Sequence, residues 1–305
     1  MSRNTATLIC FSAILLWASM VGLIKYVSTQ VGAELGITLI YSVCAIVLLI
    51  LLPFPNLKTI PKGYLLLAGL LFVAYEWCFS FAIGYSKTAQ QAIEVSIVNY
   101  LWPSLTIVVF VLFKDLKFNF LIVIGLLMSM GGIIFIQTGS GTFSIESILQ
   151  NFYSNPISYI LAFIGAIIWA FYCVVTKKMS QGHNPIAIFF ICVALTLWGK
   201  IFLTESHFVM PHIELKTWFY ILGTATATGL AYAAWNIGMI HGNVAVIVVA
   251  SYFTPILSSV IAMFVLNASL STTFWQGTIM VTLGSLICWI STNWLAIKPA
   301  LKRLR

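Results

Sequence analysis

Ten apolar runs, each close to the length a bilayer demands, alternate with short polar connections along the chain. A membrane-crossing helix needs about 20 mostly apolar residues. The runs cover 6–27, 33–52, 64–85, 88–113, 119–137, 157–177, 185–203, 217–239, 243–266 and 274–296. The longest connection, 138–156, is rich in Gly, Ser and Asn and divides the chain nearly in half. The pattern predicts an all-α membrane protein of ten transmembrane helices.

The midpoint points to an internal repeat. At a shift of 152 residues, Trp17-Ala18 falls on Trp169-Ala170 and Lys25 on Lys177. At the same shift Tyr100 and Pro103 fall on Tyr252 and Pro255, and Gly125 and Gly132 on Gly277 and Gly284. Each half carries five runs, and an odd number makes the second half enter the membrane from the opposite side. The sequence therefore predicts two inverted-topology five-helix repeats around a central pathway. The first repeat spans 1–137, an outer linker loop 138–156, and the second repeat 157–305, ending in a basic cytoplasmic tail.

Composition agrees with the spans. Of 305 residues, 61% are hydrophobic and 7% charged, against about a quarter charged in a soluble domain. The net charge of +8 does not indicate nucleic acid, because the basic residues stand singly between apolar runs. Topology accounts for them better. With the N-terminus inside, eleven of the fifteen Lys and Arg fall in cytoplasmic segments, among them Lys58, Lys62, Lys114, Lys117, Lys177 and Lys178. The outer segments hold Lys25, Lys87, Lys200 and Lys216. This bias predicts both termini in the cytoplasm. The first run follows Arg3 without a small-residue cleavage site, so it reads as a mature helix. Cys10, Cys44, Cys78, Cys173, Cys192 and Cys288 all lie in apolar runs and read as small hydrophobes. A pathway built from two fused halves is compatible with a monomer.

Two of the spans carry an internal proline. Proline lacks an N–H and clashes with the carbonyl four residues back, which is Asn99 for Pro103 and Ser251 for Pro255. A carbonyl freed in hydrocarbon needs protein, water or substrate to satisfy it. Ser96, Asn99, Tyr100 and Pro103 share one helical face; Ser251, Tyr252, Pro255 and Ser258 or Ser259 share the matching one. Such stripes are either local satisfaction of a kink or the lining of a wet cavity. Their symmetric placement favours the cavity, since paired interrupted helices mark transport sites.

Trp198, Trp218, Trp275, Trp289 and Trp294 lie towards span ends, where interfacial anchoring is the default. Trp17, Trp102 and Trp169 lie near mid-span and either pack in the core or line the pathway. Glu76, in "FVAYEWCFSF", is close to the centre of the third span. A carboxylate there receives a substrate ammonium, carries a coupling proton, or is a neutral hydrogen-bond partner between helices. Glu94, nearer the outer end of the fourth span, reads as a partly wet vestibule residue. Tyr232, Trp235 and Asn236 share a face of the eighth span and extend the candidate lining inward.

Enzyme chemistry finds no support. The single Asp, Asp115, is in a loop, and His183, His207, His212 and His241 lie at loops or span ends. No carboxylate pair, metal cluster or nucleophile–base arrangement appears, and no cofactor is implied. The absence of a GxxxxGK[ST] loop excludes an ATP-driven pump within this one chain. A channel or a structural membrane protein remains as an alternative, which saturable substrate flux would separate from a transporter.

The ten runs, the inverted halves and above all "NYLWPSLT" at 99–106 resemble the drug/metabolite transporter superfamily, as two EamA-type units. Within it the chain is similar to the aromatic amino acid exporters of bacterial inner membranes. The resemblance implies a basket-like ten-helix fold, alternating access and export of aromatic amino acids, other amino acids or drug-like metabolites. It carries over to Asn99, Tyr100, Trp102 and Pro103. The second half departs from the motif, with "SYFTP" at 251–255 lacking the tryptophan.

Overall fold

The computed structural model describes residues 1–136, 145–205, 208–242, 247 and 250–302. All regular structure among them is helical. The helices are α1 (Arg3–Val31), α2 (Ala33–Leu51), α3 (Lys62–Gly84), α4 (Ala89–Asn99), α5 (Trp102–Leu112), α6 (Phe120–Ile136), α7 (Ile145–Ser154), α8 (Pro156–Met179), α9 (Ile186–Thr204), α10 (Leu215–His241), α11 (Thr254–Leu266) and α12 (Thr272–Lys302). Hydrocarbon leaves a backbone no partner but itself, which selects this class of structure for apolar runs.

Among the described residues, seven segments are long and apolar enough to cross a membrane. They are α1, α2, α3, the combined α4–α5 segment Ala89–Leu112, α8, α9 and Thr272–Ser291 of α12. α6 and α11 are shorter apolar helices. α10 has the length, but its "TATATG" stretch dilutes its hydropathy with small, weakly polar residues.

Local chemistry sets the ends. Ser2 caps α1 by accepting from the Thr5 N–H, and Thr88 caps α4 by accepting from the Gln91 N–H. Pro156 starts α8, where its missing N–H has no helical partner to lose, and the Asn155 side chain caps the same turn. α1 and α2 are separated by Gly32 alone, at φ 85°. A corner of one residue needs that left-handed backbone, which glycine adopts without strain.

The expected single kinked helix of the first half is two helices. α4 ends at Asn99, Tyr100 and Leu101 form a turn, and α5 begins at Trp102. In the second half Tyr252 and Phe253 form the turn and α11 begins at Thr254. The backbone bonds match. Leu101 N–H donates to Val98 and Phe253 N–H to Ala250; Leu105 N–H donates to Leu101 and Leu257 N–H to Phe253. Pro103 and Pro255 therefore sit in the first turn of a new helix, where no i→i−4 bond is lost. The clash with Asn99 and Ser251 does not arise, because the chain has already turned.

α6 packs against α12, α2 against α9, α1 against α10 and α11, and α3 and α5 against α8. The α6–α12 seam is built on glycine. A Cβ on Gly125 would stand 2.5 Å from the Gly284 carbonyl oxygen, and one on Gly132 2.6 Å from that of Gly277. As one helix advances from 125 to 132 the other retreats from 284 to 277, so the two cross antiparallel.

The linker is a loop only in part. Its second half, Ile145–Ser154, is α7, whose Ile145, Leu149 and Tyr153 form an exposed apolar stripe at helical spacing. Residues 138–144 of the linker, the last three residues of the basic tail and the side chains of Asn236 and Trp294 lie outside the described residues.

Candidate functional site

Five of the aromatic residues that the sequence singles out, Trp17, Trp102, Trp169, Tyr232 and Trp235, come together. Trp169 of α8 lies over Tyr75 (centroids 4.4 Å apart) and stacks on Tyr172 (4.8 Å). Trp102, at the start of α5, meets Trp169 edge-on at 6.3 Å. Trp17 of α1 meets Tyr232 edge-on at 5.4 Å and Trp235 at 4.9 Å. Tyr232 also reaches Trp169 at 6.4 Å, so one ring touches both members of the Trp17/Trp169 pair. Ring pairs of this geometry contribute about 0.5–1.5 kcal/mol each beyond area burial.

Tyr232 closes a second arrangement. Its hydroxyl donates to Glu76 Oε1 at 2.7 Å, while Tyr41 donates to Oε2 at 2.5 Å. The Tyr41 hydroxyl also pairs with Ser80 Oγ at 2.7 Å. Glu76 is 1% exposed. Its two donors come from α2 and α10, and the acid itself from α3, so the group ties both halves of the chain together.

Not every candidate joins this centre. Asn99 is engaged elsewhere: its Nδ2 donates to the Ala162 carbonyl at 3.1 Å, and its Oδ1 lies 3.5 Å from the Tyr75 hydroxyl. It braces the end of α4 against α8 and α3. Tyr100, Tyr252 and Ser251 are buried at the two turns, but neither tyrosine makes a ring contact with the cluster among the described residues. Asn236 follows Trp235 on α10, its side chain outside the described set.

Glu94 departs from expectation. It is 3% exposed, not partly wet. Gln90 donates to its Oε1 at 2.8 Å, and Tyr159 and Asn151 to Oε2 at 3.1 and 3.2 Å. Asn151 belongs to α7, the helix that the Gly/Ser/Asn-rich composition hides, and α7 is what covers the acid.

Sequence reasoning misses Tyr41, Ser80, Tyr75, Phe72 and Phe190. A tyrosine in an apolar run reads as core, and its hydroxyl declares itself only when a partner from another helix is found. For Ser80 a signal exists: at the shift of 152 its mate is Tyr232, and while Tyr232 bonds to Glu76 directly, Ser80 pairs with Tyr41, the other phenol on that acid.

Comparison with known proteins adds the family. Residues 156–290 match the EamA-like transporter family. The chain is 48% identical over 296 residues, 96% of itself and 99% of the relative, to the aromatic amino acid exporter YddG of Escherichia coli K12. The chain belongs to the EamA-like transporter family. It is also 44% identical to the protein of the same name from Salmonella typhimurium, over 96% of this chain and 99% of that one. A third, from Ancylobacter novellus, is 24% identical over 86% of this chain and 88% of that one. One crystal structure superimposes with a TM-score of 0.65 at 22% identity, covering 95% of this chain and 99% of that chain. That likeness is one of fold. This EamA-like chain is a multi-pass helical membrane protein whose relatives are transporters.

Proposed function

We propose that the chain is a secondary exporter of aromatic and large apolar amino acids, working by alternating access in a bacterial inner membrane. The observation that carries this reading is the ring cluster of Trp17, Trp102, Trp169, Tyr232 and Trp235, drawn from both halves of the chain and adjoining the break at Tyr100–Leu101. The relatives named aromatic amino acid exporters agree with walls that suit aromatic cargo.

An inverted pair of five-helix repeats accounts for the packing. A shift of 152 carries residue 102, where α5 begins, to 254, where α11 begins, and residue 120, where α6 begins, to 272, where α12 begins. The same shift turns the α1–α10 contact into α8 with α3, and α1–α11 into α8 with α5. Gly125–Gly284 likewise exchanges with Gly132–Gly277. These relations support a two-fold axis in the membrane plane, passing near Tyr232. Ten crossings then leave both termini on one side, which the Lys and Arg bias makes the cytoplasm, and a single chain supplies both walls of the pathway.

Cells that overproduce the protein, preloaded with labelled Phe, test the reading. Faster efflux of Phe than in control cells, with Gly efflux unchanged, is the expected result. Equal Phe efflux with and without the protein overturns it.

A further inference from the structure

Glu76 is charged-group chemistry without a charged partner. Among the described residues it has no basic group within ion-pair distance; the ion pairs there are Lys178–Asp115 and Lys200–Glu34, both elsewhere. Its oxygens are met by two neutral phenols, with Ser80 beside Tyr41. Hydroxyls run towards the acid from both sides, an arrangement that suits an acceptor-only carboxylate. A neutral hydroxyl is a weaker partner for an anion than a cation is, so the site is filled by groups that a cation displaces.

The surroundings favour one kind of cation. Phe190 stacks on Tyr41 at 5.8 Å and meets Tyr232 edge-on at 5.1 Å; Phe72 meets Tyr232 at 5.8 Å. Aromatic walls around an anion suit an alkylammonium, because ring faces attract the cation while the carboxylate takes its hydrogens. Tyr232 itself sets the pattern. One phenol places a polar end on Glu76 and a ring among Trp17, Phe72 and Phe190, a disposition that an aromatic molecule with an amine at one end reproduces.

We propose that Glu76 is the recognition site for the primary ammonium group of the transported molecule, which takes the carboxylate in place of the Tyr232 hydroxyl. The inference rests on the reading of the protein as an exporter of aromatic amino acids and names the part of the cargo that is recognised. At the shift of 152 the mate of Glu76 is Thr228, which hydrogen-bonds to the Thr224 carbonyl of its own helix. There is therefore one acid near the axis, suited to one ammonium. Among the described residues no basic side chain pairs with this acid, so an amine without a carboxylate should bind, and a carboxylate without an amine should not.

The test is competition against labelled Phe flux in proteoliposomes. Phenethylamine keeps the ammonium and ring, and 3-phenylpropionate keeps the ring and carboxylate. In the parent, phenethylamine should inhibit and 3-phenylpropionate should not. Glu76→Gln should weaken inhibition by phenethylamine by about tenfold or more, the scale of a lost charge-assisted hydrogen bond. Tyr232→Phe, which removes the rival hydroxyl and keeps the ring, should leave that inhibition intact or stronger. If Glu76→Gln does not insert, Glu76→Asp should retain the preference for the amine at reduced affinity. Equal inhibition by both compounds in the parent, or full phenethylamine inhibition of Glu76→Gln, overturns the inference while leaving Phe transport standing. Absence of Phe flux in the parent refutes the exporter reading instead.

Discussion

Gly132 of α6 and Gly277 of α12 lie backbone to backbone: a Cβ on Gly132 would meet the Gly277 carbonyl oxygen at 2.6 Å and the Met280 Cβ at 2.9 Å. In lipid, helices gain little from hydrophobicity when they associate, so close approach through small residues carries the packing. Gly132→Val should therefore destabilise the protein by the roughly 1–3 kcal/mol typical of overpacking, read as a lower melting temperature in detergent. The neighbouring Gly131, whose Cβ would meet only Met280 Cε at 3.7 Å, is the control. Gly131→Ala should leave the melting temperature unchanged, and an equal drop in both variants would remove the seam from the account.

The two breaks give a second prediction. Pro103 and Pro255 each sit in the first turn of a new helix after a two-residue turn, and the Leu101–Val98 and Leu105–Leu101 bonds are matched by Phe253–Ala250 and Leu257–Phe253. Pro103→Ala and Pro255→Ala restore an N–H that can continue the preceding helix. Each should reduce the initial rate of Phe flux several-fold while the amount of inserted protein stays near that of the parent. Normal flux in both variants would make the prolines structural and the breaks irrelevant to movement.

How much of this is legible in the sequence depends on whether the signal is local. Pro103 and Pro255 stand out because proline disturbs its own helix and because a constant shift links them. Gly125, Gly132, Gly277 and Gly284 stand out by the same shift, although which glycine faces which is settled only by the antiparallel crossing. Glu76 is visible as a charge in an apolar run. Its partners Tyr41 and Tyr232 are 35 and 156 residues away; nothing local marks Tyr41, and nothing local links Tyr232, visible only as a lining candidate, to the acid. α7 is hidden because ten residues of mixed composition read as linker, and the burial of Glu94 is hidden with it.

Substrate choice gives a third prediction. Trp102 meets Trp169 edge-on, and its loss should remove stacking from aromatic cargo more than from aliphatic cargo. Trp102→Ala should weaken competition by Phe, Tyr and Trp by about two- to tenfold, the equivalent of 0.5–1.5 kcal/mol, and competition by Met by less. An equal loss across all four amino acids would assign Trp102 to the scaffold.

Orientation gives a fourth. Eleven of fifteen basic residues fall on the cytoplasmic side of the proposed topology. A cysteine placed at Glu146 of α7, in a background with the native cysteines replaced, should react with an impermeant thiol reagent in intact cells. One placed at Lys302 should be protected until the membrane is opened. The reverse pattern would invert the topology.

The central claim is that aromatic walls drawn from both halves of the chain select aromatic cargo for transport. The most direct measurement is the uptake of labelled Phe into liposomes containing the purified protein, with unlabelled Phe, Tyr, Trp, Met, Gly and Ser as competitors. The account predicts saturable flux that Phe, Tyr and Trp inhibit most strongly, Met less, and Gly and Ser hardly at all. Non-saturable flux, or inhibition without regard to the side chain, would contradict it.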